Sequence, residues 1–169
     1  MKNQIKHEDA PAYTAAKSEA YDDDAIIKLA ISILEDRLKT EQSERGDAMT
    51  NPDAVKTFLK FNLVRLEHEE FAVMFLDNQH RLIKYESMFR GTIDGASVYS
   101  REVAKRALQL NAAAVIFAHN HPSGVSVPSH ADKMITSKLK EALNLFDIRT
   151  LDHFIVGDSI FSFAEGGLI

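Results

Sequence analysis

The 169-residue chain contains no cysteine, and that one absence removes disulfides, thiol nucleophiles and thiolate metal sites together. Any metal held here must sit among nitrogen and oxygen donors. Long apolar runs are missing too: none approaches the roughly 18 residues that a membrane-spanning helix needs. The N-terminus lacks a basic stretch followed by an apolar one, so no signal peptide is read. The expected location is cytoplasmic, with no membrane partner. Nor is there a basic excess. Lys and Arg number 20 against 25 Asp and Glu, a formal charge of −5, which weighs against a broad nucleic-acid surface and leaves a local basic patch open. No internal repeat or low-complexity tract is present. What remains is ordinary for a globular domain: 45% apolar and 27% charged residues, in a chain long enough to bury a core.

Along the chain, residues 1–23 read as a loose polar arm. From Ala25 the positions Ile26, Ile27, Ala30, Ile31, Leu34 and Leu38 recur at helical spacing, with Asp24 as the expected N-cap. A polar linker containing Gly46 follows, and Asn51-Pro52 starts a second helix with Val55, Phe58, Leu59, Leu63 and Leu66 on its apolar face. Phe71 to Leu76 is a continuous apolar run of strand length, the pattern of a strand buried on both faces. Residues 77–80 read as a turn, 81–86 as a strand pairing back, and Met88 to Ile93 as a third strand closed by Asp94-Gly95. Ser100 is the expected N-cap of a helix carrying Val103, Ala104, Ala107 and Leu108. Ala112 to Ala118 is a second buried strand that delivers His119 at its carboxyl end. A helix over 129–146 follows, then strands over 148–156 and 160–163 around Gly157-Asp158. This alternation predicts an α/β sandwich, whose ligand sites lie beyond the carboxyl ends of the strands.

That is where the chemistry concentrates. His119 and His121, at i and i+2, share a face of an extended segment and can aim at one ion, while Asn120 points elsewhere. Pro122, Gly124 and Pro128 bend the loop and limit its freedom. Asp132, one turn into the next helix, completes two imidazoles and a carboxylate, the protein share of a catalytic zinc shell with one position open for water. Hydrolysis also needs a general base and an oxyanion partner. Ser129 suits the second role, and Glu69 and Glu70, at the edge of the first buried strand, are both open for the first. Ser129-x-x-Asp132 before an amphipathic run fits a capping box equally well. Asp152-His153 reads as a structural hydrogen-bonded pair, and His68, His80 and His130 as surface or helix-edge residues.

His119-x-His121-Pro122, six residues, then Ser129-x-x-Asp132 resembles the JAMM signature of JAB/MPN metalloprotease-like domains. Glu69-Glu70-Phe71, Phe75-Leu76-Asp77, Gly91-Thr92-Ile93, Arg101-Glu102-Val103, His119-Asn120-His121-Pro122-Ser123-Gly124, Leu151-Asp152-His153 and Phe161-Ser162-Phe163-Ala164-Glu165 narrow the likeness to the bacterial RadC family, over about residues 50–169. The resemblance implies a cytidine-deaminase-like α/β/α sandwich with a mixed central sheet. It implies zinc held by His119, His121 and Asp132, Glu69 rather than Glu70 as the base, and Ser129 steadying the tetrahedral intermediate. The organisation is then an arm at 1–23, an N-terminal helix and linker at 24–46, and a RadC-like MPN domain at 47–169. Ser100 stands where the family usually has proline, and no Gly-rich helix-hairpin-helix pattern precedes the domain. Deamination, which on this fold needs a cysteine pair, is excluded. The implied activity is zinc-dependent hydrolysis of a peptide or isopeptide bond in a peptide or protein substrate. The alternative is a DNA-repair- or mobile-element-associated module whose zinc is structural; an interaction scaffold ranks last, because the ligand set is complete.

Overall fold

Residues 71–76 form a strand because nothing in them asks for water: every side chain is buried, and alternate residues serve opposite faces. The computed structural model describes residues 22–39, 52–91 and 97–169. These form helices α1 (Asp23–Lys39), α2 (Pro52–Leu63), α3 (Ser100–Gln109) and α4 (His130–Asn144). The strands are β1 (Glu70–Leu76), β2 (Leu82–Arg90), β3 (Ala114–Asn120), β4 (Arg149–Val156) and β5 (Ile160–Ser162). The sheet order is β2-β1-β3-β4-β5, antiparallel throughout except for the parallel β3–β4 pair. A parallel pair needs a crossover, and α4 supplies it.

Ala72, Met74 and Leu76 of β1 pack with Ile116 and Ala118 of β3 against α1 and α2. Phe71, Val73 and Phe75 pack with Val115 and Phe117 against α3 and α4. The sheet is thus mixed and covered by helices on both faces, an α/β sandwich. The α2 stripe behaves as the spacing predicts, with Val55, Phe58, Leu59 and Leu63 buried; on α1 only Leu38 is buried, Ile31 and Leu34 are partly so, and Ile26 is exposed. Among the described residues no helix is long and apolar enough to cross a membrane.

Three local expectations are corrected. Asp24 does not cap α1; Asp22 does, its carboxylate accepting from Asp24 N at 3.2 Å, while Asp24 pairs with Arg65 at 3.2 Å. Met88 does not begin a third strand, because β2 runs unbroken to Arg90. Its pairing with β1 shifts between Phe71/Ala72 and between Phe75/Leu76. Such bulges break the two-residue period that sequence reading follows. The Asp94-Gly95 turn and the Gly46 linker lie outside the described residues.

The third correction is Ser100, which is the first helical residue of α3 rather than its cap. Tyr99 occupies the cap position in extended geometry without a side-chain cap bond, and the Ser100 hydroxyl is buried without a partner among the described residues. A first helical position after an extended residue suits proline. Ser100→Pro is therefore expected to stabilise the protein by about 0.4–1 kcal/mol by restricting the unfolded chain, raising the thermal midpoint by a few degrees. A lower midpoint in a thermal melt would count against this placement.

Candidate metal centre

β3 is the middle strand of the five, and all seven of its residues are buried. His119 lies opposite Phe71 of β1 and Ile155 of β4, and it is 1% exposed. The strand ends at Asn120, and the loop that follows carries His121 back toward the same face. His121 N donates to Val156 O at 2.9 Å, and its ring Nδ1 stands 2.6 Å from Val125 O. A carbonyl can only accept, so His121 Nδ1 carries a hydrogen, and in the neutral ring Nε2 is the atom free to bind a metal. The loop is held against the β4–β5 turn. Gly124, at φ +82, accepts from Asp158 N at 2.8 Å, and a Cβ on Gly157 would fall 2.3 Å from Gly124 O. Only glycine fits at both places.

Asp132 arrives on the first turn of α4. Ser129 is the N-cap: its hydroxyl accepts from Asp132 N at 3.1 Å, and Asp132 Oδ2 accepts from Ser129 N at 2.7 Å. The capping box is real, and it aims the carboxylate. Asp132 Oδ1 is 3.2 Å from His119 Nε2, Oδ2 is 3.7 Å from His121 Nε2, and the two imidazole Nε2 atoms are 3.0 Å apart. Donors about 2.0–2.1 Å from a tetrahedral zinc stand about 3.3 Å from one another. The triad fits that ion, and its donor atoms all lie within 4.8 Å of one another. Burial by itself would raise the Asp132 pKa, but hydrogen bonds from His119 and Ser129 and the nearby imidazole charge hold it well below the usual carboxylate range. It is an anionic donor at neutral pH.

Glu70 is committed elsewhere. Its carboxylate lies 2.7 Å from His68 Nε2 and accepts from Ser87 Oγ. Burial opposes ionisation, yet these bonds and the charges of His68 and Arg90 lower its pKa. Glu69 stands one residue before β1, and Phe71, two residues on, lies opposite His119. Among the described residues no hydrogen bond or ion pair joins the Glu69 side chain to the triad. Its backbone is held on both sides. Asn120, 2% exposed, accepts from Glu70 N at 2.8 Å and donates to His68 O at 3.0 Å, while Glu69 O takes Gly91 N at 2.8 Å.

The residue between the ligands therefore clamps the segment that carries Glu69, a role the sequence reading of Asn120 missed. It also missed His153 and Thr136. His153, fully buried, places Nε2 2.8 Å from His119 Nδ1, and its Nδ1 lies 2.6 Å from Thr136 Oγ1. Burial first, and then the neighbouring His119 charge, push the His153 pKa well below the usual imidazole value, against the pull of Asp132. Asp152 is structural as read, but not through the His153 ring. Its carboxylate takes His153 N, Ser162 Oγ and Ala164 N, tying β4 to β5 and the chain end. Helical period and strand alternation carry no sign of which residues stand behind a ligand. Of the remaining histidines, His68 is half-buried between Glu70 and Arg90, His80 sits in the β1–β2 turn at φ 63, and His130 is exposed.

The architecture and the triad define an α/β sandwich with a three-donor metal-binding constellation at the carboxyl end of its central strand. Residues 49–168 match the model of the RadC-like JAB domain. The chain belongs to that family. A UPF0758 protein of Vibrio cholerae serotype O1 is 52% identical over 151 residues, covering 89% of this chain and 93% of that one. A UPF0758 protein of Chromohalobacter salexigens is 61% identical over 125 residues, 73% of this chain and 56% of its own length. The chain spans a similar share, 58%, of a relative from Thioalkalivibrio sulfidiphilus that is 58% identical over 130 residues. Much of the similarity to these longer relatives is thus carried by a little over half of their length.

Proposed function

We propose that the protein is a zinc-dependent hydrolase of amide bonds, acting on a peptide or isopeptide link in a peptide or protein substrate. The observation that carries this reading is the count of donors. His119, His121 and Asp132 converge, and no fourth protein donor joins them among the described residues. Structural zinc sites close with four protein ligands, whereas catalytic ones keep a position open. For the same reason a purely structural zinc in a DNA-associated module is less well supported.

When bound, zinc polarises a carbonyl and brings the pKa of water toward about 7. The chain's own residues supply the rest. Asp132 and the two Nε2 atoms fix the ion's place. Glu69, with its backbone held and its side chain without another partner among the described residues, accepts a proton from water and passes it to the leaving amine. The Ser129 hydroxyl accepts from Asp132 N and keeps its own hydrogen to donate to the developing oxyanion. The test is metal analysis of protein purified without added metal, beside cleavage of fluorogenic peptide and isopeptide substrates. About one zinc per chain and cleavage lost in His119→Ala are expected. Near-zero metal that no added zinc restores would overturn the reading.

A further inference from the structure

We infer that His153, backed by Thr136, is a positioning residue that places the His119 proton on Nδ1 and so presents a bare Nε2 to the metal. This rests on the proposal above and adds a device that sets one ligand's protonation form. The assignment follows from which atoms carry hydrogen. Asp132 O is a carbonyl and can only accept, and Thr136 Oγ1 lies 2.5 Å from it. The threonine hydrogen is spent there, which leaves only lone pairs facing His153 Nδ1 at 2.6 Å. His153 Nδ1 therefore carries the hydrogen. A neutral imidazole has only one, so His153 Nε2 is an acceptor, and the 2.8 Å contact with His119 Nδ1 requires the hydrogen to be on His119. In the neutral ring that binding a metal requires, the Nε2 of His119 is then the bare atom, facing Asp132 and His121.

A second hydrogen on His153 would reverse the order and turn an N–H of His119 into the metal site. The surroundings oppose that. His153 is wholly buried, with Phe163 stacked at 4.8 Å and the rings of Phe71 and Phe117 edge-on at 5.4 and 5.8 Å. Without water, an added charge there is disfavoured. The arrangement also closes on itself. The backbone carbonyl that starts the sequence of bonds belongs to Asp132, the third ligand, and Thr136 stands one turn further along α4. The same helix turn therefore supplies one ligand's carboxylate and sets the tautomer of another. The two imidazoles reach the same form by different routes, His121 through Val125 O and His119 through His153. Partners of this kind commonly change metal affinity about 10–100-fold when removed.

The experiment uses the full chain, metal-free and labelled with nitrogen-15 at histidine, with two-bond proton–nitrogen correlations to read each tautomer. Zinc affinity is measured separately by competition with a chromophoric chelator. Unsubstituted protein is expected to show His119 as the Nδ1–H form. Thr136→Val, nearly isosteric but without an acceptor, is expected to mix the two forms of His119 and to weaken zinc binding about 10–100-fold. Thr136→Ser restores the acceptor and is expected to behave like the unsubstituted protein. A His119 whose Nδ1 carries no hydrogen in the metal-free chain would overturn the inference. So would a folded Thr136→Val protein with unchanged tautomer and affinity. If the unsubstituted chain binds no zinc but shows His119 as Nδ1–H, the hydrolase reading fails and the tautomer assignment stands.

Discussion

Glu69→Gln is expected to lower the rate of amide hydrolysis about 10²–10⁴-fold, the usual contribution of a positioned general base, with zinc content unchanged. Glutamine keeps the shape of the side chain but cannot take up a proton. The backbone of residue 69 is pinned by Asn120 on one side of the strand and by Gly91 on the other, so the substitution leaves its position alone. Glu70→Gln is the internal control. That carboxylate is held by His68 and Ser87, and its loss is expected to reduce stability slightly while leaving most of the turnover. Metal analysis and turnover on the same preparations decide the matter. A large loss in Glu70→Gln with little change in Glu69→Gln would show that Glu70, not Glu69, is the base.

Asp132→Ala removes two things at once. The metal loses its anionic donor, and zinc affinity is expected to fall by more than the 10–100-fold that follows loss of a supporting partner. The helix loses the half of its capping box that accepts from Ser129 N, which costs about 0.5–2 kcal/mol in the metal-free protein. Asp132→Asn separates the two effects. Its amide oxygen still accepts from Ser129 N, so the metal-free protein should lose less stability than Asp132→Ala, keeping the cap bond but not the charge interaction with His119, while zinc binding stays weak without the charge. Chelator competition reports the first effect and denaturant unfolding without metal the second. Equal stability losses in the two variants would show that the cap bond contributes nothing.

Much of this site was legible beforehand because its parts lie close together in the chain. His119, His121, Ser129 and Asp132 fall within one strand end, one loop and one helix turn, where spacing alone says which side chains share a face. β1 and β3 were equally plain, since a run without polar residues has few other places to go. β2 was not, because its bulges break the alternation at Met88. Ser100 was misjudged because serine favours the cap position, while the backbone here begins the helix one residue earlier than that cap would place it. His153 was out of reach for a different reason. It meets His119 across 34 residues and only because β3 and β4 are parallel, and strand direction is not written in either strand.

The two faces of β3 carry a last consequence. Odd residues 115, 117 and 119 look toward α3 and α4, and even residues 114, 116, 118 and 120 toward α1 and α2. A slip of one residue in this strand would turn every side chain over. It would put Asn120 where His119 stands and bury an imidazole where an amide now grips the backbone. Zinc uptake would then be a proofreading signal for the sheet: a chain that has paired its central strand out of step has no site to load.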